Sequence, residues 1–222
     1  MNEASAKGGG LSPLDRPNSY IGRSVPRPNA KKLMAGRGTF VDDLKLPRMV
    51  HLAFLRSPYA HAAIGKIDSG KAKAMAGVVA VMTGAELAQV CRPWVGVLSH
   101  LAGLKSAPQH AMAVARACWQ GEAVVAIAAT SRAIAEDALE RVEVDFEELP
   151  AATDMSSALD EATPVIHPDL GDNLAWTREV VAGDLDAALE KAAHVVEETF
   201  RFNRHTGVTL EPRCLIADYN AI

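Results

Sequence analysis

The stretch GEAVVAIAATSRAIAEDALERVEVDFEELP, residues 121–150, switches its hydrophobic period twice and narrows the possible folds of the 222-residue chain more than any other segment. Ala123 to Ala129 is a continuous apolar run, the pattern of a strand covered on both faces. Thr130 or Ser131 can then cap a helix, in which Ala135, Ala138, Leu139 and Val142 fall at i, i+3, i+4 and i+7. From Val142 the period becomes two, with Val142, Val144 and Phe146 on one side and Glu143 and Asp145 on the other. Strand, helix and strand in about 25 residues predict a βαβ-like unit and an α+β protein.

Elsewhere the signals are shorter. Residues 1 to about 30, with Gly8-Gly9-Gly10 and Pro13, Pro17, Pro26 and Pro28, cannot bury enough apolar surface to offset their ordering entropy and read as an extended arm. MVHLAFL (49–55), closed by Ser57-Pro58, reads as a buried strand. A short helix ending at Gly77, a β-branched strand from Val78 to Met82 and a turn at Thr83-Gly84 follow. Residues 88–118, broken by Pro93, Gly96, Gly103 and Pro108, read as a long loop with short helical pieces. Beyond Pro150 the periodicity fades, which suggests a domain boundary. A second amphipathic helix is expected after Asp184, with Leu185, Ala188, Leu189 and Ala192 on one face. A strand from about Val195 to Phe202, paired across the Gly207 turn with CLIADY (214–219), would complete the chain.

With 49% apolar residues the chain can bury a proper core, and its net charge of -4 matters less than its distribution. Residues 1–37 hold seven Lys and Arg against two acids, whereas 136–161 hold ten acids against Arg141 alone. That pattern fits a solvated arm and a solvated acidic face. No basic stripe is interleaved with aromatics, which argues against nucleic acid as a partner. Three widely spaced cysteines (Cys91, Cys118 and Cys214), no apolar leader and no run long enough to span a bilayer lead us to expect a cytoplasmic protein with no membrane contact.

Candidate chemistry is thin. In GRGTFVDD (36–43) the third glycine of a dinucleotide fingerprint would fall on Val41, so the glycines are better read as turn residues. Seven scattered histidines make no helical i, i+4 pair, and no GxSxG or CxxC exists, so no catalytic, cofactor-binding or metal-ligating residue is assigned. His205, Glu211 and Arg213 are close enough in sequence to form a cluster, for which an ion pair of Glu211 with Arg213 or Arg204 is the simplest expectation.

Several separated motifs occur together in an order that resembles one family. YIGRSVPRPNAKKLMAGRGTFVDDLKLPRMVHLAFLRSPYAHAAIGKID, GVVAVMTGAEL, the 121–150 stretch, GDLDAALEKAAHVVEETF and EPRCLIADYN look like the start of the large, molybdopterin-binding subunit of the xanthine dehydrogenase and aldehyde oxidase family, in its carbon monoxide dehydrogenase-like branch. The most telling are RSPYAH, VAVMTG and VDFEELP. The sequence departs from the family pattern where Ala123 replaces a usual proline after Gly121-Glu122, and in the preceding Cys118-Trp119-Gln120. The resemblance implies an arm at 1–36, an α/β-hammerhead domain at 37–149, and a linker with the incomplete start of a molybdopterin-binding domain at 150–222.

It also implies that the segment bearing Glu211-Pro212-Arg213 continues, in the family, into the part that holds molybdopterin and supplies the catalytic base. This chain is therefore expected to bind no cofactor alone and to contribute scaffold to an oxidoreductase. Molybdopterin would sit in the completed subunit, and FAD and iron-sulfur clusters in partner subunits. The expected partners are the remainder of the large subunit and those FAD and iron-sulfur subunits. Two other readings compete: a non-catalytic remnant or binding module folded by its first domain, and an independent enzyme using His205, Glu211 and Arg213.

Overall fold

The computed structural model describes residue 20 and residues 25–203, 205–209 and 211–220. In chain order the elements are α1 (Ala30–Met34), β1 (His51–Arg56), β2 (Ala62–Asp68), α2 (Gly70–Lys73), β3 (Val78–Thr83), α3 (Gly84–Ala88), β4 (Arg116–Ala117), β5 (Ala123–Ala129), α4 (Arg132–Leu139), β6 (Glu143–Glu148) and α5 (Leu185–Lys191), with 3₁₀ turns at Val41–Asp43 and Pro168–Leu170. They fall into two units, one of Pro47–Phe200 and one of the described residues up to Leu46 with those from Arg201 onward.

The larger unit holds two three-stranded sheets, ordered β1-β5-β3 and β4-β2-β6, and every strand pairing is antiparallel. The strand-helix-strand stretch is therefore not a βαβ unit. Both edges of β5 are taken, by β1 and β3, so β6 cannot join that sheet and pairs with β2 in the other. The helix between them, α4, forms as expected: the Ser131 hydroxyl accepts the Ile134 N–H, Ala135 and Ala138 are buried, and α4 packs on β1 and β5.

The core lies where these layers meet. Val124, Val125, Ile127, Ala138 and Val142 are buried together with Ala72 and Ala113, and Leu55, Ile64, Val81, Val144 and Phe146 pack around them. The expectation that β5 is covered on both faces is met unevenly. Val125 and Ile127 face the core, whereas Ala126 lies opposite Phe54 and Met82, and these flanking side chains remain partly exposed.

Three local expectations are corrected. Thr83-Gly84 is not a plain turn: Thr83 and Glu86 form a capping box, with the Thr83 N–H donating to the Glu86 carboxylate at 2.7 Å, and α3 starts there. Gly84 is required by space, since a Cβ would stand 1.9 Å from the Ala113 carbonyl oxygen. Within residues 88–118 the long loop is closed by a two-way backbone bridge between Trp94 and Gln109 and ends in the short β4, with no helix beyond α3. Finally, neither 195–202 nor 214–219 is a strand. Val196, Phe200 and Phe202 are at least 80% exposed, as is Leu215, and an extended segment with no partner for its ladder and no layer against its apolar side chains gains too little to become one.

Candidate functional site

In the smaller unit, Glu211 is held away from its sequence neighbours. Its Oε1 accepts the Val41 N–H at 3.1 Å, at the start of the Val41–Asp43 turn, where the Asp43 carboxylate also accepts the Phe40 N–H at 2.9 Å. The first N–H groups of such a turn have no partner of their own, so carboxylates suit them. The contact joins the FVDD and EPR motifs across most of the chain. Gly36, which ends α1 with φ at +66°, is a turn residue as the sequence suggested.

The His205 Nδ1 lies 3.0 Å from the Asn203 carbonyl, to which it donates. Among the described residues no hydrogen bond or ion pair links Arg213 to Glu211 or His205, and Arg204 lies outside the described residues. The structure thus places these three residues on one segment without joining them. The Glu211 carboxylate is taken by the Val41 backbone instead, so nearness in sequence was a poor guide to contact.

In the larger unit, motifs far apart in sequence meet at one knot that sequence reading did not anticipate. Ser57, 2% exposed, donates its backbone N–H to the Glu122 carbonyl and accepts the Gly121 N–H on its own carbonyl, both at 2.8 Å. Arg56 reaches the Gly121 carbonyl at 2.8 Å, and Tyr59 packs its ring 5.6 Å from that of Phe146. The RSPYAH, GEA and VDFEELP motifs are therefore parts of one arrangement, and only the shared presence of all three hinted at it.

Buried Glu122 closes the knot by accepting the Cys118 N–H at 2.6 Å. Burial raises its pKa despite the hydrogen bonds from Cys118 and Trp119, and burial with the Glu122 charge raises that of the Cys118 thiol. Both effects favour the protonated thiol, the less nucleophilic form.

No three His, Cys, Asp or Glu residues among those described converge as a metal site. The glycines of the last third form no close-packed cradle among the described residues: a Cβ at Gly171, Gly183 or Gly207 would meet nothing within 4 Å. The glycines of this segment bring no backbone close to any surface, and no chemical step can be built through a bound cofactor here.

Two antiparallel sheets joined through a helix, with motifs knotted at Ser57 and Glu122, define an α+β domain. Residues 35–150 match the aldehyde oxidase and xanthine dehydrogenase a/b hammerhead domain, and residues 166–221 match a molybdopterin cofactor-binding domain. The chain belongs to the aldehyde oxidase and xanthine dehydrogenase family, a family of molybdopterin-binding oxidoreductases, and corresponds to the N-terminal part of its large subunits. It is 32% identical to the nicotine 6-hydroxylase large subunit of Paenarthrobacter nicotinovorans, covering 93% of this chain and 26% of that one. With the carbon monoxide dehydrogenase large chain of Afipia carboxidovorans it shares 33% identity over 84% of its own length and 24% of the relative's. Among solved structures, quinoline 2-oxidoreductase from Pseudomonas putida 86 superposes with a TM-score of 0.70 at 37% identity, over 79% of this chain and 22% of that one. The chain thus spans about a quarter of the length of these two curated relatives. No helix among the described residues is long and apolar enough to cross a membrane.

Proposed function

We propose that this chain supplies the scaffold of a molybdenum hydroxylase large subunit and works only when the rest of such a subunit is assembled on it. The observation that carries this reading is the apolar surface left open in the residues matched to the cofactor-binding domain. Leu185, Val195, Val196, Phe200, Phe202 and Leu215 are each 63% exposed or more, far beyond what a self-sufficient domain leaves to water. The division into an arm at 1–36, a hammerhead domain at 37–149 and a linker with the beginning of a second domain from 150 is part of the proposal, supported by the ending of the last strand at Glu148. Molybdopterin would then be bound by the completed subunit, with FAD and iron-sulfur clusters on partner subunits, in the cytoplasm. In that assembly Glu211 acts through Val41 as a structural tie, with His205 and Arg213 beside it on the same segment.

The test is recovery of the chain from its native cells, with mass spectrometry of what accompanies it and determination of molybdenum and pterin. A stoichiometric partner carrying both is the expected result. Recovery of the chain alone, free of metal, would overturn this reading in favour of a non-catalytic module folded by its first domain, which the well-packed core of the two sheets makes the natural second reading.

A further inference from the structure

The two faces of the β1-β5-β3 sheet share one chemistry and have different surroundings. An antiparallel sheet with one face on the core and the other in water alternates apolar and polar residues along each strand. These strands do not: HLAFLR, VVAVMT and AVVAIAA carry apolar residues at outward positions as well as inward ones. The register puts Leu52, Ala128 and Ala80 in one row across the outer face and Phe54, Ala126 and Met82 in the next, with no polar side chain among the six. Leu52 is 58% exposed, Met82 38% and Phe54 37%, so no described element covers this face. The residues call for a layer that the described part of the chain does not supply.

The face also has a shape. Its middle strand contributes only Ala126 and Ala128, while Leu52 and Phe54 stand on one side and Met82 on the other, which leaves a shallow groove along β5. The two alanines, i and i+2 on a strand, lie about 6.8 Å apart. Residues i and i+4 of an α-helix are separated along its axis by about 6.0 Å. Two aliphatic side chains one helical turn apart can therefore each sit over an alanine, between the walls. A second groove of the same kind cannot, since two concave faces would touch only at their walls. At the Phe54 end the Arg56 guanidinium lies 5.5 Å from the Phe54 ring centroid and reaches the Gly121 carbonyl, and among the described residues no carboxylate pairs with it.

We propose that this groove is the docking site for a helix of the remaining part of the large subunit, one that presents aliphatic residues at i and i+4 to Ala126 and Ala128 and a carboxylate to Arg56. The inference rests on the assembly proposed above and names a surface through which this chain takes part in it. The match occupies 26% and 24% of the two curated relatives, so a subunit of that length holds ample chain to supply the helix.

Photo-cross-linking tests this in the complex recovered from native cells, with p-benzoylphenylalanine in place of Leu52 and, separately, of Met82. Light should attach both walls to the same partner peptide, at positions three, four or seven residues apart, and that peptide should belong to the protein that carries molybdenum and pterin. Leu52→Asp, at a position open to water in the chain alone, should cut recovery of that partner at least tenfold while leaving the circular dichroism and thermal midpoint of the chain unchanged. Cross-links within this chain or to a second copy, attachment at alternate residues as in a strand, or undiminished recovery with Leu52→Asp overturn the proposal. A partner bearing molybdenum and pterin that is recovered without cross-links also overturns it and leaves the assembly standing, whereas recovery of the chain alone overturns both.

Discussion

Helices α4 and α5 carry the same local instructions and meet different fates. Each begins at a side-chain cap, Ser131 accepting the Ile134 N–H and Asp184 accepting the Ala187 N–H, and each has an apolar face at helical spacing. In α4 that face is buried against two strands, whereas α5 buries no residue and its Leu185 and Leu189 are 70% and 47% exposed. The segments that follow diverge in the same way: 143–148 finds β2 and becomes a strand, and 195–202 finds nothing and does not. Caps and periodicity decide that a helix can form, but burial decides how much it contributes.

The largest expected contrast comes from the apolar side chains. Ile127→Ala empties a fully buried position and should cost about 2–5 kcal/mol in urea unfolding, while Leu189→Ala should stay within about 0.5 kcal/mol. A large effect of Leu189→Ala in the isolated chain would mean that α5 is covered in solution and would break the comparison.

Glycines should divide in the same way. Gly84→Ala forces a methyl group onto the Ala113 carbonyl and should cost about 3 kcal/mol, whereas Gly207→Ala, with nothing within 4 Å, should be close to neutral by thermal unfolding. The caps sharpen the point. Ser131→Ala should lower global stability by about 1 kcal/mol. Asp184→Ala should reduce helical content by circular dichroism without moving the unfolding midpoint, because α5 is not packed into the core.

Glu122 gives the packed region a pH signature. Its folded-state pKa is raised above the ordinary 4.5, so its contribution is fully present below 4.5 and is lost as pH rises through the raised value. Glu122→Gln, which cannot ionise, should remove that decline from the stability-pH curve while keeping an oxygen for the Cys118 N–H. An unchanged curve would show that another group sets the slope.

What could be read from the sequence follows the same line. The helices after Ser131 and Asp184, the strands at 51–56 and 78–83 and the turn glycine at 36 are set by neighbours in the chain and were legible, although the strand at 51–56 is half-exposed, with Leu52 facing water, and not buried as its apolar run suggested. Sheet membership was not, since nothing in VEVDF says that the edges of β5 are already occupied by β1 and β3. The capping box at Thr83 and Glu86 was legible in principle and was hidden by the glycine that follows Thr83. The family was readable because its motifs survive as a set, while their meeting at Ser57, Gly121 and Glu122 depends on distances no linear pattern encodes. The partner that Glu211 does take could not be read for the same reason: Val41 lies at the other end of the sequence.

The position of β5 and β6 in the sheets also sets a timetable. The central strand of one sheet and an edge strand of the other both come late, pairing with β1 and β2 far earlier in the chain. A nascent polypeptide leaving the ribosome would carry β1 and β3 with their hydrogen-bonding edges open until Ala129 had emerged, and one edge of β2 open until Glu148 had, and only then could both sheets close. Synthesis, rather than the finished structure, is where this domain is most exposed to aggregation, and where a holding chaperone would have most to protect.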